Sequence, residues 1–227
     1  MKYPSTYRLL AVKAVILSIF ILSFAPAPSA DAVLSKDIGF RWQPSYPVYT
    51  SPYMQVSPDD SPAFQSFVKS VADGRRDSIR GIFVEGVLAL PVIEQPVEKP
   101  AFVSENPETG TLFSKAVENG ITGVLAHNYL AGERFYALEA GQEVRVVFGD
   151  GRYRPYRVTG RELFQRLKPN DLRSELVDLK SGKRLSSGEV FNRFYKGDHR
   201  ITFQTCLARN GLSNWGLSFT VAEPIHP

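Results

Sequence analysis

The chain has 227 residues, 43% of them hydrophobic, 22% charged and 12% aromatic, enough to bury one sizeable core and incompatible with a disordered or fibrous protein. Glycine at 17 and proline at 16 exclude collagen-like and low-complexity classes. One cysteine and three histidines exclude an internal disulfide, a cysteine-based zinc site and an ordinary histidine-rich metal cluster. Any thiol chemistry must use Cys206 alone.

The formal net charge of +4 is concentrated at the start of the chain. Residues 1–30 carry Lys2, Arg8 and Lys13 and no acidic residue, which leaves +1 on the remainder. A near-neutral remainder lacks the clustered basic face of a nucleic-acid binder, so no nucleic-acid partner is expected. The same stretch reads as an export signal: a basic start, an apolar run from Ala14 to Phe24, then Ala30-Asp31-Ala32 as a small-x-small cleavage site. The apolar run is short of the roughly 20 residues that cross a bilayer. Its alternative is an uncleaved anchor, because Leu9 to Val12 extend the segment with only Lys13 interrupting. Either form exports the rest of the chain, to the extracellular side or to the cell surface, and the second attaches it to the membrane through its N-terminal segment. A lone thiol in an exported protein then calls for a reason, since oxidising surroundings favour paired cysteines or none.

Residues 31–79 form a spacer rich in Pro, Ser and Tyr, carrying Pro44, Pro47, Pro52, Pro58 and Pro62. Its alternative is a loop packed on the domain that follows. Ser61-Pro62 supplies an N-cap and a first-turn proline for a short amphipathic helix bearing Phe64, Phe67, Val68 and Val71, with Gly74 as its stop. From Gly81 the period changes to two, and residues 80–227 read as a mainly β domain. Ile82, Val84, Val87, Leu88 and Leu90 lead into Pro91. Leu112, Phe113, Ala116 and Val117 predict a short helix ended by Gly120, and the run from Ile121 to His127 predicts a buried strand. Glu143 to Phe148 and Arg152 to Val158 are strands joined by Gly149-Asp150-Gly151, a hairpin signal. Thr159 and Glu162 predict a capped helix carrying Leu163, Phe164 and Leu167, ended before Pro169; Ser186 and Glu189 repeat the device ahead of Val190, Phe191 and Phe194. Arg200 to Cys206 and Trp215 to Glu223 are the last strands. Short strands with antiparallel hairpins and few helices point to a closed or nearly closed β-barrel with helical insertions, with a sandwich as the other candidate.

Within Arg200 to Cys206, alternation sets Ile201 and Phe203 on one face and Thr202, Gln204 and Cys206 on the other. A thiol that merely fills a core would share the face of Ile201 and Phe203, so the parity favours a functional cysteine over a buried hydrophobe. One cysteine with a histidine elsewhere is the minimum set for thiol nucleophilic catalysis: the thiolate attacks a carbonyl and an imidazolium protonates the leaving amine. His127, at the end of its strand, is the best partner; His199 lies at the far end of the cysteine's own strand, and His226 is nearly terminal.

Leu125-Ala126-His127-Asn128 at a strand end, followed by Ile201-Thr202-Phe203-Gln204-Thr205-Cys206, resembles the sortase family, whose catalytic strand ends in Thr-Cys and whose histidine follows an earlier strand. Gly81 to Pro91, with Leu90-Pro91-Val92, resembles the first sortase strand. The resemblance spans roughly residues 80–225. It implies a sortase-type closed eight-stranded β-barrel and a cysteine transpeptidase, in which Cys206 forms a thioacyl enzyme, His127 protonates the departing amine, and an amine resolves the intermediate. The implied partners are exported proteins bearing a C-terminal sorting motif and an amine acceptor at the cell surface, with no cofactor. The helical stretch between Val158 and Arg200 would match the loop lining the sortase peptide groove.

A guanidinium is also required, to donate to the tetrahedral oxyanion. Sortases place it on the strand after the cysteine, where Trp215 to Val221 contains no arginine and Leu217 stands near the expected position. Arg209 is the only arginine downstream of Cys206 and is the candidate, with a solvated loop charge as its alternative. Other readings compete. An L,D-transpeptidase would place Ser-x-Gly-Cys around the thiol, and Gln204-Thr205-Cys206 lacks that glycine. The missing strand arginine supports a different class, a catalytically silent sortase-fold module that binds peptide or protein. Trp215, Tyr153 and Tyr156 read as packing residues. Asn128 either orients His127 or binds its own turn.

Overall fold

The computed structural model describes residues 51–225. The export signal and the greater part of the expected spacer, up to residue 50, lie outside the described residues. Ten strands form one sheet: β1 (Ile79–Val84), β2 (Leu88–Glu94), β3 (Gly110–Leu112), β4 (Thr122–Leu125), β5 (Glu143–Phe148), β6 (Tyr153–Arg166), β7 (Leu176–Asp178), β8 (Arg184–Leu185), β9 (Ile201–Arg209) and β10 (Leu212–Pro224). Their order is β10-β9-β4-β3-β2-β1-β5-β6-β7-β8, and a further pairing of β10 with β6 closes the first eight into a barrel, with β7 and β8 as an appended hairpin. Closure removes the long free edges that an open sheet would expose.

Turn chemistry sets the hairpins. Gly151, at a φ of 85°, lets the chain reverse between β5 and β6 while Asp150 accepts from the Arg152 amide. Asn210 and Gly211, both at positive φ, form the β9–β10 turn, the backbone pattern that matches strand twist. Inside the barrel, Ile82, Leu90, Val124, Val146, Ile201 and Phe203 are fully or nearly fully buried.

Two layers cover the outside. Helix α1 (Pro62–Val71) is capped by the Ser61 hydroxyl, which accepts from the Phe64 amide, and buries Phe64, Phe67 and Val68 against Phe83, Val147 and Tyr153. It approaches so closely that a Cβ on Gly81 would stand 2.5 Å from the Phe67 ring. Helix α1 is therefore packed on the barrel. On another face, α2 (Ser114–Val117) and α3 (Ser187–Tyr195) lie over a second apolar cluster containing Phe164, Phe194, Tyr195, Leu217 and Phe219. The expected capping box is present in α3: Ser186 accepts from the Glu189 amide while Glu189 accepts from the Ser186 amide.

One expected helix is a strand. The capping residues Thr159 and Glu162 favour a helix to Lys168, but β6 runs on to Arg166, paired with β10 from Tyr156↔Pro224 to Gln165↔Gly216. A two-residue cap signal is worth about 1 kcal/mol, too little against a ladder of this length with Phe164 fully buried beneath it. Glu162 instead pairs with Arg193 of α3. The strands β3, β7 and β8 and a 3-10 helix, Ala131–Ala137, go beyond the sequence expectation.

Candidate active site

The site begins with the pairing of β4 and β9. These strands run parallel, with Leu125 opposite Gln204. Two residues beyond this last pair along each chain stand His127 and Cys206, and both line one groove. The register thus brings together two residues separated by 79 positions. A side-chain bond fixes it: the buried Thr205 hydroxyl donates to the Ala126 carbonyl at 2.9 Å, tying the residue before the cysteine to the residue before the histidine.

Past β4 the chain turns sharply, with the amides of Leu130 and Gly132 both donating to the His127 carbonyl. Gly132, the second residue of the 3-10 helix, stands in a crowded position. A Cβ there would stand 2.4 Å from the Thr205 hydroxyl and 2.7 Å from each of the Ala126 and His127 carbonyl oxygens. Asn128 takes neither of its expected roles: its side-chain amide donates to the Ser213 carbonyl, fastening the histidine turn to the β9–β10 hairpin. At the end of the 3-10 helix, the Arg161 guanidinium donates to the carbonyls of Phe135 and Leu138. Tyr136, held in this way, donates its hydroxyl to the Cys206 carbonyl at 2.5 Å. That carbonyl points toward the β4 side beyond the last β4 pairing, where no strand partner remains for it.

Cys206 and His127 line one groove of about 400 Å³, with Val103, Leu125 and Leu172 among its apolar walls. The His127 ring stacks on Tyr129 with centroids 5.2 Å apart; Tyr129 and Leu172 are 64% and 76% exposed, a marked apolar rim beside polar groups. Among the described residues no hydrogen bond joins the imidazole to the thiol. Burial pushes the Cys206 thiol above its ordinary range, and the Arg166 guanidinium partly opposes that shift. Such an arrangement offers a nucleophile, a proton carrier and a cation around one extended cleft. Among the described residues no group of three or more His, Cys, Asp or Glu is gathered to hold a metal ion.

The face carrying Thr202, Gln204 and Cys206 is opposite to Ile201 and Phe203, as alternation predicts, but α3 covers much of it. Thr202 donates to the Phe194 carbonyl and Gln204 accepts from the Tyr195 hydroxyl, so the polar residues satisfy the end of α3, and Cys206 packs at the margin of the second cluster.

The structure does not bring Arg209 to the groove lining. Its guanidinium lies over the Trp215 ring, 4.9 Å from the centroid, and the residue is exposed. Arg166, the last residue of β6, lines the groove instead. The strand alternation of Phe164 and Arg166 was the signal for it, hidden by the helical reading of that stretch. His199 is a structural histidine: Nδ1 donates to the Gly120 carbonyl and Nε2 accepts from the Tyr156 hydroxyl. Burial pushes Tyr156 up to about 12, which keeps that donor protonated.

No protein-family profile matches the chain, and no curated protein matches it. Among solved structures it is similar to sortases. The SrtA sortase from Actinomyces oris is 19% identical, over 67% of this chain and 82% of that one, with a TM-score of 0.41. Sortase C-1 from the same organism is 13% identical, over 78% and 86%, with a TM-score of 0.45. Sortase A from Corynebacterium diphtheriae is 13% identical, over 75% and 72%, with a TM-score of 0.44.

Proposed function

We propose that the chain is an exported, sortase-like cysteine transpeptidase. The observation that carries this reading is that His127 and Cys206, each two residues past the last pair of the parallel β4–β9 ladder, line one groove. An extended peptide lies in the groove with its scissile carbonyl over Cys206. The thiol proton passes to His127 as Sγ bonds to the carbonyl carbon, and the π electron pair moves to oxygen. On collapse the C–N bond breaks, His127 returns the proton to the departing amine, and a thioester remains. An incoming amine then attacks the thioester, loses a proton to His127 and releases the Cys206 thiol, so charge and atoms balance over the cycle. The substrates in this reading are exported proteins with a C-terminal sorting motif, and the acceptor is a cell-surface amine. The basic and apolar start of the sequence supports export. Among the described residues no helix is long and apolar enough to cross a membrane.

A second reading, a silent sortase-fold module that only holds peptide, is favoured by the upward shift of the buried thiol, which lowers the thiolate fraction of the free protein. The test incubates the 227-residue chain with a library of LPxTG-like peptides and an amine acceptor, and follows intact mass. A transpeptidase gives an adduct on Cys206 that is absent from Cys206→Ala and strongly reduced in His127→Ala. A folded chain that forms no adduct with any peptide supports the silent module.

A further inference from the structure

We propose that Arg166, delivered from β6 rather than from the strand that follows the cysteine, is the guanidinium that donates to the oxyanion formed over Cys206. This inference rests on the acyl-transfer reading and assigns one further catalytic residue to it.

The argument is one of register. Cys206 of β9 is opposite Leu217 of β10, and Leu217 is opposite Phe164 of β6. The three side chains belong to one apolar cluster and so share a face of the sheet. Arg166 follows Phe164 by two residues and returns to that face. Because β6 and β9 both run antiparallel to β10, Arg166 is displaced toward the end of the sheet where the groove opens. Two strand spacings of about 4.8 Å and a two-residue offset of about 3.3 Å per residue put the two Cα atoms about 12 Å apart on a flat sheet. Both side chains stand on the outer face of the barrel and line the same groove, and an extended arginine directed along the sheet toward Cys206 leaves between them an interval for a thiol and the carbonyl bonded to it. Leu217, where an arginine on β10 would stand, is a buried residue between the two strands.

The guanidinium is also unspent. Among the described residues it makes one hydrogen bond, from Nη1 to the Pro169 carbonyl at 3.3 Å, and no carboxylate pairs with it. By contrast, Arg80, Arg145, Arg152 and Arg193 are held in ion pairs. Asn214 donates to the Pro169 carbonyl and to Asn170, bracing the loop after β6 against the β9–β10 hairpin. Arg166 is thereby held through one guanidinium nitrogen, Nη1, and its other guanidinium donors are left over. As Sγ bonds to the carbonyl carbon, the oxygen receives the electron pair and accepts from Arg166. When the C–N bond breaks, the pair returns to re-form the carbonyl and the guanidinium keeps all its protons.

The test compares the full-length wild type with Arg166→Met, Arg166→Lys and Arg209→Ala, using thermal unfolding to establish that each variant is folded. Two probes are applied. A peptide aldehyde forms a tetrahedral adduct on Cys206 and needs the oxyanion donor; iodoacetamide alkylates the thiolate without forming an oxyanion. Arg166→Met is expected to lose about 10²–10³ in acyl transfer and in aldehyde affinity, while alkylation at fixed pH falls by less than about tenfold. Arg166→Lys, which keeps the charge but not the fork, is expected to recover only part of the loss and decides the matter if the methionine variant fails to fold. Acyl transfer and aldehyde binding unchanged in the Arg166 variants, or lost only in Arg209→Ala, overturn the inference while leaving the cysteine reading intact. A wild type that neither transfers peptide nor binds aldehyde, yet is alkylated at Cys206, overturns the underlying reading itself.

Discussion

Replacing Gly132 with alanine strikes the point where the histidine turn meets the cysteine strand. The added methyl would stand 2.4 Å from the Thr205 hydroxyl and 2.7 Å from two backbone carbonyl oxygens. All three distances are far inside ordinary van der Waals contact, and none of the obstructing atoms ends a flexible side chain. The Thr205 hydroxyl is itself committed to the Ala126 carbonyl, so relief requires the 3-10 helix to move away from β4 as a unit. Overpacking of this kind costs about 1–3 kcal/mol. At about 2–4 °C per kcal/mol for a chain of this size, the melting temperature should fall by roughly 2–12 °C. The same shift carries the carbonyl of His127, which accepts from the amides of Leu130 and Gly132, so acylation of Cys206 should fall by more than stability alone explains at a temperature where the variant is fully folded. Gly160→Ala is the control, because nothing stands within 4 Å of its Cβ position and its φ is not in the left-handed region; its melting temperature should stay within a degree or two of the wild type. Scanning calorimetry with a parallel acylation assay decides the matter. If Gly132→Ala melts and acylates like Gly160→Ala, the crowded junction does not hold the histidine in place.

Thr205→Val keeps the side-chain shape but leaves the buried Ala126 carbonyl without its donor, a loss of about 1–3 kcal/mol measurable by urea unfolding; an unchanged midpoint would refute it. His199 supplies a pH dependence. Burial holds its folded pKa below the ordinary 6.5, opposed by the bond to Gly120 and reinforced by Arg154. The folded protein therefore binds fewer protons than the unfolded chain, so this contribution is complete above about pH 6.5, erodes as pH falls below that value and levels off beneath the folded pKa. A His199→Gln variant should show a flatter fall in stability between pH 7 and pH 5, and equal slopes in the two proteins would sink the assignment. Cys206 should alkylate with a pH midpoint above that of a free thiol, since burial raises its pKa, and Arg166→Met should move the midpoint higher still because the opposing cation is gone. A midpoint that does not rise in the variant would show that Arg166 does not sense the thiol.

How far the sequence exposes this site depends on assigning the right period to each stretch. The alternation Ile201-Thr202-Phe203-Gln204-Thr205-Cys206 is a period-two signal, and it correctly separates the thiol from the barrel interior. It does not tell which layer covers the other face, because that is settled by α3, whose Phe194 and Tyr195, eight and nine residues upstream, bond to Thr202 and Gln204. Asn210-Gly211 announces the hairpin that carries β9 on to Arg209 and was open to reading beforehand; it extends the strand past Cys206 and carries Arg209 away to Trp215. The stretch from Thr159 to Lys168 failed for a physical reason. Its capping residues, Thr159 and Glu162, favour a helix locally, whereas the opposing information lies in β10, about sixty residues later. Reading that stretch with a period of 3.6 scatters Phe164 and Arg166 onto different faces; reading it with a period of two aligns them, and Arg166 then falls on the face of Cys206. The strand after the cysteine carries no arginine, and the one in the groove lining, Arg166, joins the face of Cys206 only when its stretch is taken as a strand, a pairing that the distant β10 decides and the local cap residues oppose.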